Sequence, residues 1–264
     1  MSPSRFTRDE GQGPPVLFVH GLMASQRVFD AVIAQVKGSR RCLAVDLPCS
    51  GKSGPWAPME PRALASAVAR WLDAAGVGEC TLVGHSFGGL VALELIRAAP
   101  GRFSKALLMS TPGMGLSPAL RTVLDAPALS AGAALVERLP VVPRLVQAYL
   151  DQFLAGASGT LTAAQLEGYL ETLRQPGAWR AMLEATQAVG RYQLEPHALA
   201  GARVDVLWGE KDRLVPLVDG ERLAVALGSG FEVLPRLGHL LPEEAPEAVV
   251  SWLEGRAALR PAGR

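Results

Sequence analysis

The stretch Gly84-His85-Ser86-Phe87-Gly88-Gly89 places a serine between glycines that lie two residues away on either side. It follows a short apolar run, Thr81-Leu82-Val83, and precedes a segment of helical period. A serine in a Gly-x-Ser-x-Gly motif at such a junction sits on a sharp, strained turn, where glycines let strand and helix approach closely. A glycine-rich turn can also serve packing alone, so the context matters. Here the strand and the helix that the motif requires are both predicted, which favours an exposed Ser86 nucleophile.

Strands and helices alternate along the chain on both sides of this motif. Short β-branched or apolar runs are followed by longer segments in which apolar residues recur at spacings of three and four. This order is typical of a parallel sheet with right-handed helical crossovers. The predicted strands are 16–19, 42–45, 81–83, 106–109, 204–208 and 231–234, and the predicted helices are 26–36, 62–75, 89–99, 217–227 and 246–253. There is room for one strand before Val16, and the tail from Arg256 to Arg264 is expected to be frayed.

The pattern changes between Leu116 and Leu199, where helical spacing continues and no strand is predicted. Prolines divide this stretch into four or five helices, at Pro118, Pro127, Pro140, Pro143 and Pro176. One helix start is marked by a possible capping box, Thr162 with Gln165. The sequence therefore predicts a core domain of residues 1–115 and 200–264 with a helical insertion of residues 116–199. Residues 156–160 within it are small and polar and are expected to be mobile.

The composition is that of an ordinary globular protein. Of 264 residues, 49% are apolar, and 26 basic side chains balance 25 acidic ones to a net charge of +1. That balance argues against nucleic acid or an anionic membrane surface as a partner. No membrane span and no secretory signal are evident, and three cysteines without paired spacing favour neither disulfides nor a zinc site. These features indicate a cytoplasmic protein.

A serine hydroxyl is a good nucleophile only when a base takes its proton, so a histidine and a group that orients it are expected elsewhere. His239 follows the last predicted strand, at the edge where open parallel sheets bind ligands. The other histidines have simpler explanations: His20 ends the first strong strand, His85 occupies the variable position of the motif, and His197 lies in a linker. His239 is therefore the predicted base, against the alternative of a solvated loop histidine.

The orienting carboxylate is expected after another strand, in Trp208-Gly209-Glu210-Lys211-Asp212-Arg213. Asp212 is favoured because it lies deeper in the loop, where Val215-Pro216 closes the turn. Glu210 is the second candidate, and a solvated charged turn is the alternative to both. The order serine, acid, histidine along the chain is the order of the α/β-hydrolase arrangement.

Attack on a carbonyl also requires donors for the oxygen that becomes negative. The backbone N–H of Phe87 points to that position if the serine turn is correct. A second donor is expected from the loop His20-Gly21-Leu22-Met23, where glycine lets the chain double back, and the N–H of Leu22 is the predicted group. An ordinary strand-ending turn is the alternative for His20-Gly21.

With these residues the chain resembles the α/β-hydrolase superfamily, in particular small capped esterase-like members with a His-Gly-x oxyanion loop. The resemblance covers nearly the whole chain, and its landmarks are His20-Gly21, Asp46-Leu47-Pro48, the serine motif, Gly209-Glu210-Lys211-Asp212 and Gly238-His239. It implies an α/β-hydrolase fold, a mostly parallel sheet flanked by helices, with residues 116–199 as an all-helical cap. Cys49 stands where family members usually carry a turn glycine, so that loop is expected to be reshaped; a reactive Cys49 thiol is the alternative.

The predicted function is hydrolysis of a carboxylic ester or related acyl bond through an acyl-serine intermediate on Ser86, His239 and Asp212. The partner is a small-molecule acyl substrate with an apolar portion, and no cofactor or metal is implied. Serine in place of aspartate argues against the related dehalogenases and epoxide hydrolases. Carbon–carbon, lactone and thioester bonds remain open, because the same residues serve each. A small-molecule receptor that retains these residues without turnover is the alternative from another class. The sequence indicates no oligomeric state.

Overall fold

The computed structural model describes residues 7–103, 105–113, 148, 150, 161–199, 201–256 and 260–261. Eight strands in this part of the chain form a sheet: β1 Thr7–Glu10, β2 Pro15–Val19, β3 Arg41–Val45, β4 Thr81–His85, β5 Lys105–Met109, β6 Arg203–Gly209, β7 Gly230–Leu234 and β8 Arg260–Pro261. Their order is β1-β3-β2-β4-β5-β6-β7-β8. The six inner strands, β3-β2-β4-β5-β6-β7 in sheet order, pair in parallel. The edge strands β1 and β8 pair antiparallel to β3 and β7. The sheet is therefore mostly parallel, as the alternating pattern predicts.

Helices join the strands and cover both faces of the sheet. The α-helices are α1 Asp30–Val36, α2 Pro61–Ala74, α3 Phe87–Ala98, α4 Ala163–Leu173, α5 Ala178–Arg191, α6 Leu217–Leu227, α7 Leu241–Glu244 and α8 Pro246–Leu253, with 3₁₀ turns at Gln26–Phe29 and Pro196–Leu199. Helix α4 begins with the expected capping box, because the Thr162 hydroxyl accepts the Gln165 N–H and the Gln165 side chain accepts the Thr162 N–H.

The central strands are buried on both faces, which explains their nearly continuous apolar sequences. In β2, Leu17 and Val19 pack against one layer, which includes α2, α3 and α6. Val16 and Phe18 pack on the other face with α1 and α8, and all four side chains are fully buried. Because β2, β4, β6 and β7 run parallel, the loops after them emerge at the same edge of the sheet. This topology brings Gly21, Ser86, Asp212 and His239 to one edge.

Most predicted elements are confirmed, and three details differ. The helix predicted over 26–36 is a 3₁₀ turn followed by α1. The tail is not frayed throughout, because Arg260–Pro261 pairs with β7. A four-residue helix, α7, follows His239 where none was predicted. The prediction for 156–160 and most of the predicted cap before residue 161 lie outside the described residues. No helix in the described ranges has the length and apolarity needed to cross a membrane.

Candidate active site

Ser86 occupies a strained turn between β4 and α3. Its φ of 52° and ψ of −123° lie in a region that non-glycine residues rarely adopt. The Ser86 N–H donates to the carbonyl oxygen of Met109 at 2.8 Å, which ties the turn to β5. A Cβ atom at Gly88 would lie 2.1 Å from the carbonyl oxygen of Val19, and one at Gly84 would lie 2.7 Å from the Gly89 Cα. The motif glycines are therefore required by close backbone contact.

His239 and Asp212 meet at the end of β6 and β7. The Nδ1 atom of His239 lies 2.8 Å from Oδ2 of Asp212, and both side chains are buried. The other oxygen, Oδ1, accepts the N–H groups of Leu214 and Val215 at 3.0 and 2.9 Å. Burial by itself raises the pKa of Asp212, but interaction with His239 and the Val215 N–H outweighs it and holds the pKa below its usual value. Asp212 thus stays anionic beside the imidazole.

The loop that carries His239 is held by two further side chains. The Glu244 carboxylate accepts the N–H groups of Gly238 and Leu240, one on each side of His239, at 3.1 Å. The carbonyl oxygen of His239 lies 2.7 Å from Nε2 of His85. Burial, with the nearby His239, lowers the pKa of His85 to about 3, so His85 is neutral and its Nε2–H donates. The sequence indicates neither contact, because both involve backbone groups of the His239 loop.

His20 organises the loop that is predicted to supply the second oxyanion donor. Its Nε2 accepts the Leu47 N–H at 2.9 Å, so its proton is on Nδ1, which donates to the Gly21 carbonyl at 2.7 Å. Burial lowers the pKa of His20, which favours this neutral form. A Cβ atom at Gly21 would lie 2.9 Å from the Ser86 Cβ. The backbone of this loop therefore lies directly against the serine.

A cavity of about 140 Å³ joins these groups. Its lining residues come from the oxyanion loop, the serine turn, the His239 loop, and helices α4 and α5: Leu22, Met23, Ala24, His85, Ser86, Tyr169, Met182, Thr186, Leu214, His239 and Leu240. Most of the lining surface is apolar, and its polar side chains include Ser86 and His239. Within the described ranges no three histidine, cysteine or acidic side chains are grouped to hold a metal ion.

Glu210, His197 and Cys49, which the sequence also singles out, are not among the described residues that line this cavity. Glu210 is exposed, and its carboxylate accepts the Arg236 N–H at 2.9 Å. His197 is also exposed. Cys49 is buried and has a φ of 55°, so its turn keeps the left-handed backbone that glycine favours. Phe87 begins α3, where the first backbone N–H groups have no partner within the helix.

Comparison with known proteins finds similarity over nearly the whole chain. A component of the acetoin cleaving system of Cupriavidus necator, a dihydrolipoyllysine-residue acetyltransferase, is 29% identical over 89% of this chain, but the chain spans only 61% of that relative. The 2-hydroxy-6-oxo-6-phenylhexa-2,4-dienoate hydrolase of Burkholderia cepacia is 29% identical over 91% of this chain and 86% of its own length. A solved esterase structure from Thermogutta terrifontis superposes with a TM-score of 0.80 at 24% identity, covering 96% of this chain and 93% of that one. Residues 16–252 match the model of the alpha/beta hydrolase family, and the chain belongs to that family.

Proposed function

We propose that this protein is a serine hydrolase that cleaves a carboxylic ester through an acyl-serine intermediate. Ser86 is the nucleophile, His239 the general base and acid, and Asp212 the group that orients the imidazole. The backbone N–H groups of Leu22 and Phe87 are the proposed oxyanion donors. The substrate is a small molecule with an apolar acyl or alcohol portion, as the mostly apolar cavity lining indicates.

The observation that carries this proposal is the convergence of three distant segments on one cavity. Ser86 and His239 line the same 140 Å³ space, and His239 contacts Asp212 at 2.8 Å on its other side. A buried, anionic Asp212 fixes the imidazole with its proton on Nδ1, which leaves Nε2 free to accept the serine proton. In the described part of the predicted cap, helices α4 and α5 contribute Tyr169, Met182 and Thr186 to the lining of this cavity. We propose that the cap comprises residues 116–199 and the core residues 1–115 and 200–264.

The reaction proceeds in two steps that share one oxyanion site. Ser86 Oγ attacks the ester carbonyl carbon while His239 Nε2 takes the hydroxyl proton, and the carbonyl oxygen becomes negative beside the two N–H donors. The carbon–oxygen bond to the alcohol breaks, and His239 returns the proton to the departing alcohol. Water then attacks the acyl-serine with His239 again as the base, which releases the acid and restores Ser86.

A carbon–carbon bond hydrolase is the second candidate. The Burkholderia cepacia relative is named for a dienoate substrate and matches this chain over 91% of its length. The same serine, histidine and oxyanion donors would serve such a reaction, so substrate tests must separate the two.

A panel of p-nitrophenyl esters from acetate to dodecanoate tests the proposal. We expect sustained turnover by the wild type and a loss of at least about 10⁴-fold in kcat for Ser86→Ala. Ser66→Ala is the matched control, since Ser66 is exposed on α2 and its hydroxyl donates to the Arg62 carbonyl of the same helix. Turnover that survives Ser86→Ala would contradict the proposal. Release of one equivalent of p-nitrophenol with no further turnover would favour a receptor. Turnover of a 2-hydroxy-6-oxodienoate without ester hydrolysis would favour the carbon–carbon reaction.

A further inference from the structure

A second, larger cavity lies beside the catalytic one. It has a volume of about 300 Å³ and lies between the 26–31 segment and the first turns of α4, with Arg27, Asp30 and Thr162 at its exposed rim. Among the described residues, Ala24 and Tyr169 line both cavities. Tyr169 is the larger of the two and is only 3% exposed. Its side chain therefore stands between the space next to Ser86 and this outer cavity.

The Tyr169 side chain is fixed in that position from the core side. Its hydroxyl donates a hydrogen bond to a carboxylate oxygen of Glu243, which also lines the outer cavity. Burial, together with Glu243, raises the pKa of Tyr169 well above its ordinary value, so the phenol keeps the proton that it donates. Glu243 belongs to α7, which directly follows the His239 loop. The ring is thus attached to the same segment that carries the proposed base.

We propose that Tyr169 is the specificity-determining residue that limits the length of the substrate group bound next to Ser86. This inference rests on the proposed function. An engineered cavity of about 150 Å³ in another protein holds one benzene molecule, so about 140 Å³ suits a group of roughly six non-hydrogen atoms. The substrate class that fits is a short-chain ester, and the Tyr169 ring blocks longer chains from the outer cavity.

Removal of the ring joins the two cavities and about triples the space next to Ser86. Each methylene that enters apolar surroundings then tightens binding about fourfold (~0.8 kcal/mol). Tyr169→Phe is the matched control, because it removes the hydrogen bond to Glu243 but keeps the ring between the cavities. Tyr169→Leu is the second variant, since it also shortens the wall and leaves a smaller void if Tyr169→Ala fails to fold.

The first test compares kcat/KM for butanoate and decanoate esters. We expect the decanoate-to-butanoate ratio to rise at least tenfold in Tyr169→Ala and Tyr169→Leu, and to stay within threefold of the wild-type ratio in Tyr169→Phe. An unchanged ratio in the two shortened variants would overturn the inference. An equal rise in Tyr169→Phe would also overturn it, because the ring would then not be the barrier.

The second test needs no turnover and separates this inference from the proposed function. Binding of butanoate and decanoate is measured by calorimetry in a Ser86→Ala background, with and without the Tyr169→Leu change. We expect at least tenfold tighter decanoate binding with the shortened side chain and little change for butanoate. Equal decanoate affinity in both backgrounds would refute the role of Tyr169. Absence of ester turnover in the wild type would instead refute the esterase proposal. The binding comparison would still decide whether Tyr169 limits the length of the bound group.

Discussion

The carboxyl group of Glu243 makes folding stability depend on pH in a direction that can be worked out from its surroundings. Burial raises its pKa from 4.5 to about 7, and the nearby carboxylates of Glu244 and Asp30 act in the same direction. The hydrogen bond from Tyr169 lowers the pKa and offsets only part of that rise. The proton on Glu243 is therefore held more tightly in the folded protein than in the unfolded chain.

The sign of the effect follows from which state binds more protons. Between pH 4.5 and about 7 the folded protein keeps a proton that the unfolded chain has released, so the free energy of unfolding falls as pH rises. The difference between the two pKa values corresponds to about 3 kcal/mol in total. Glu243→Gln removes the titration, and the amide oxygen can still accept the Tyr169 hydroxyl proton. The free energy of unfolding of the variant should therefore not show this fall as the pH rises.

Urea unfolding of the wild type and Glu243→Gln at pH 4.5, 5.5, 7 and 8 measures the difference. We expect the variant to gain about 3 kcal/mol relative to the wild type between pH 4.5 and pH 8. Glu247→Gln, at an exposed site on α8, is the matched control and should follow the wild-type pH dependence. If the free energy of unfolding changes with pH in the same way for the wild type and Glu243→Gln, the reasoning is refuted, because Glu243 would then have the same pKa in the folded and unfolded states.

Three further predictions concern the proposed catalytic groups. Asp212→Asn should lower kcat by about 10⁴-fold in protein that circular dichroism shows to be folded, because the amide no longer holds the His239 tautomer; steady-state kinetics showing less than a tenfold loss would exclude this role. Gly21→Ala should lower kcat about 10²-fold, since its Cβ would lie 2.9 Å from that of Ser86 and shift the oxyanion loop, and an unaffected rate would place the oxyanion donors elsewhere. Glu244→Ala should lower kcat at least tenfold by releasing the His239 loop, whereas Glu244→Gln keeps an acceptor and should restore most of the rate; equal losses in both variants would argue against a backbone-positioning role.

The sequence predicts the centre of the sheet well because the central strands β2 to β6 are almost fully buried. Such strands are continuous apolar runs bounded by glycine, proline or charge, and the helices 217–227 and 246–253 have the predicted bounds. The sequence pattern does not predict the shortest elements. A two-residue strand such as Arg260–Pro261 has no measurable period, and a four-residue 3₁₀ turn at Gln26–Phe29 carries the same apolar spacing as the start of an α-helix.

The candidate site shows the same division between side-chain chemistry and backbone contacts. Ser86, Asp212 and His239 are chemically distinctive residues that follow predicted strands, so the sequence predicts all three as one group. Position in the loop favours Asp212 over Glu210, and in the structure Asp212 contacts His239 while Glu210 is exposed. Glu244 lies in a run of acidic and proline residues that resembles an ordinary helix start, so nothing local indicates that it binds the N–H groups beside His239.

His85 shows most clearly why local pattern fails here. The position before the serine is variable in the motif. In this protein the His85 ring at that position donates to the carbonyl oxygen of His239, 154 residues later in the chain. A charged His85 with its ring centroid 5.0 Å from that of His239 would oppose the positive charge that His239 gains when it accepts the serine proton. Burial lowers the pKa of His85 to about 3, so the ring donates a hydrogen bond while staying neutral. The requirement at this position is therefore a buried neutral donor, and only the tertiary structure imposes it.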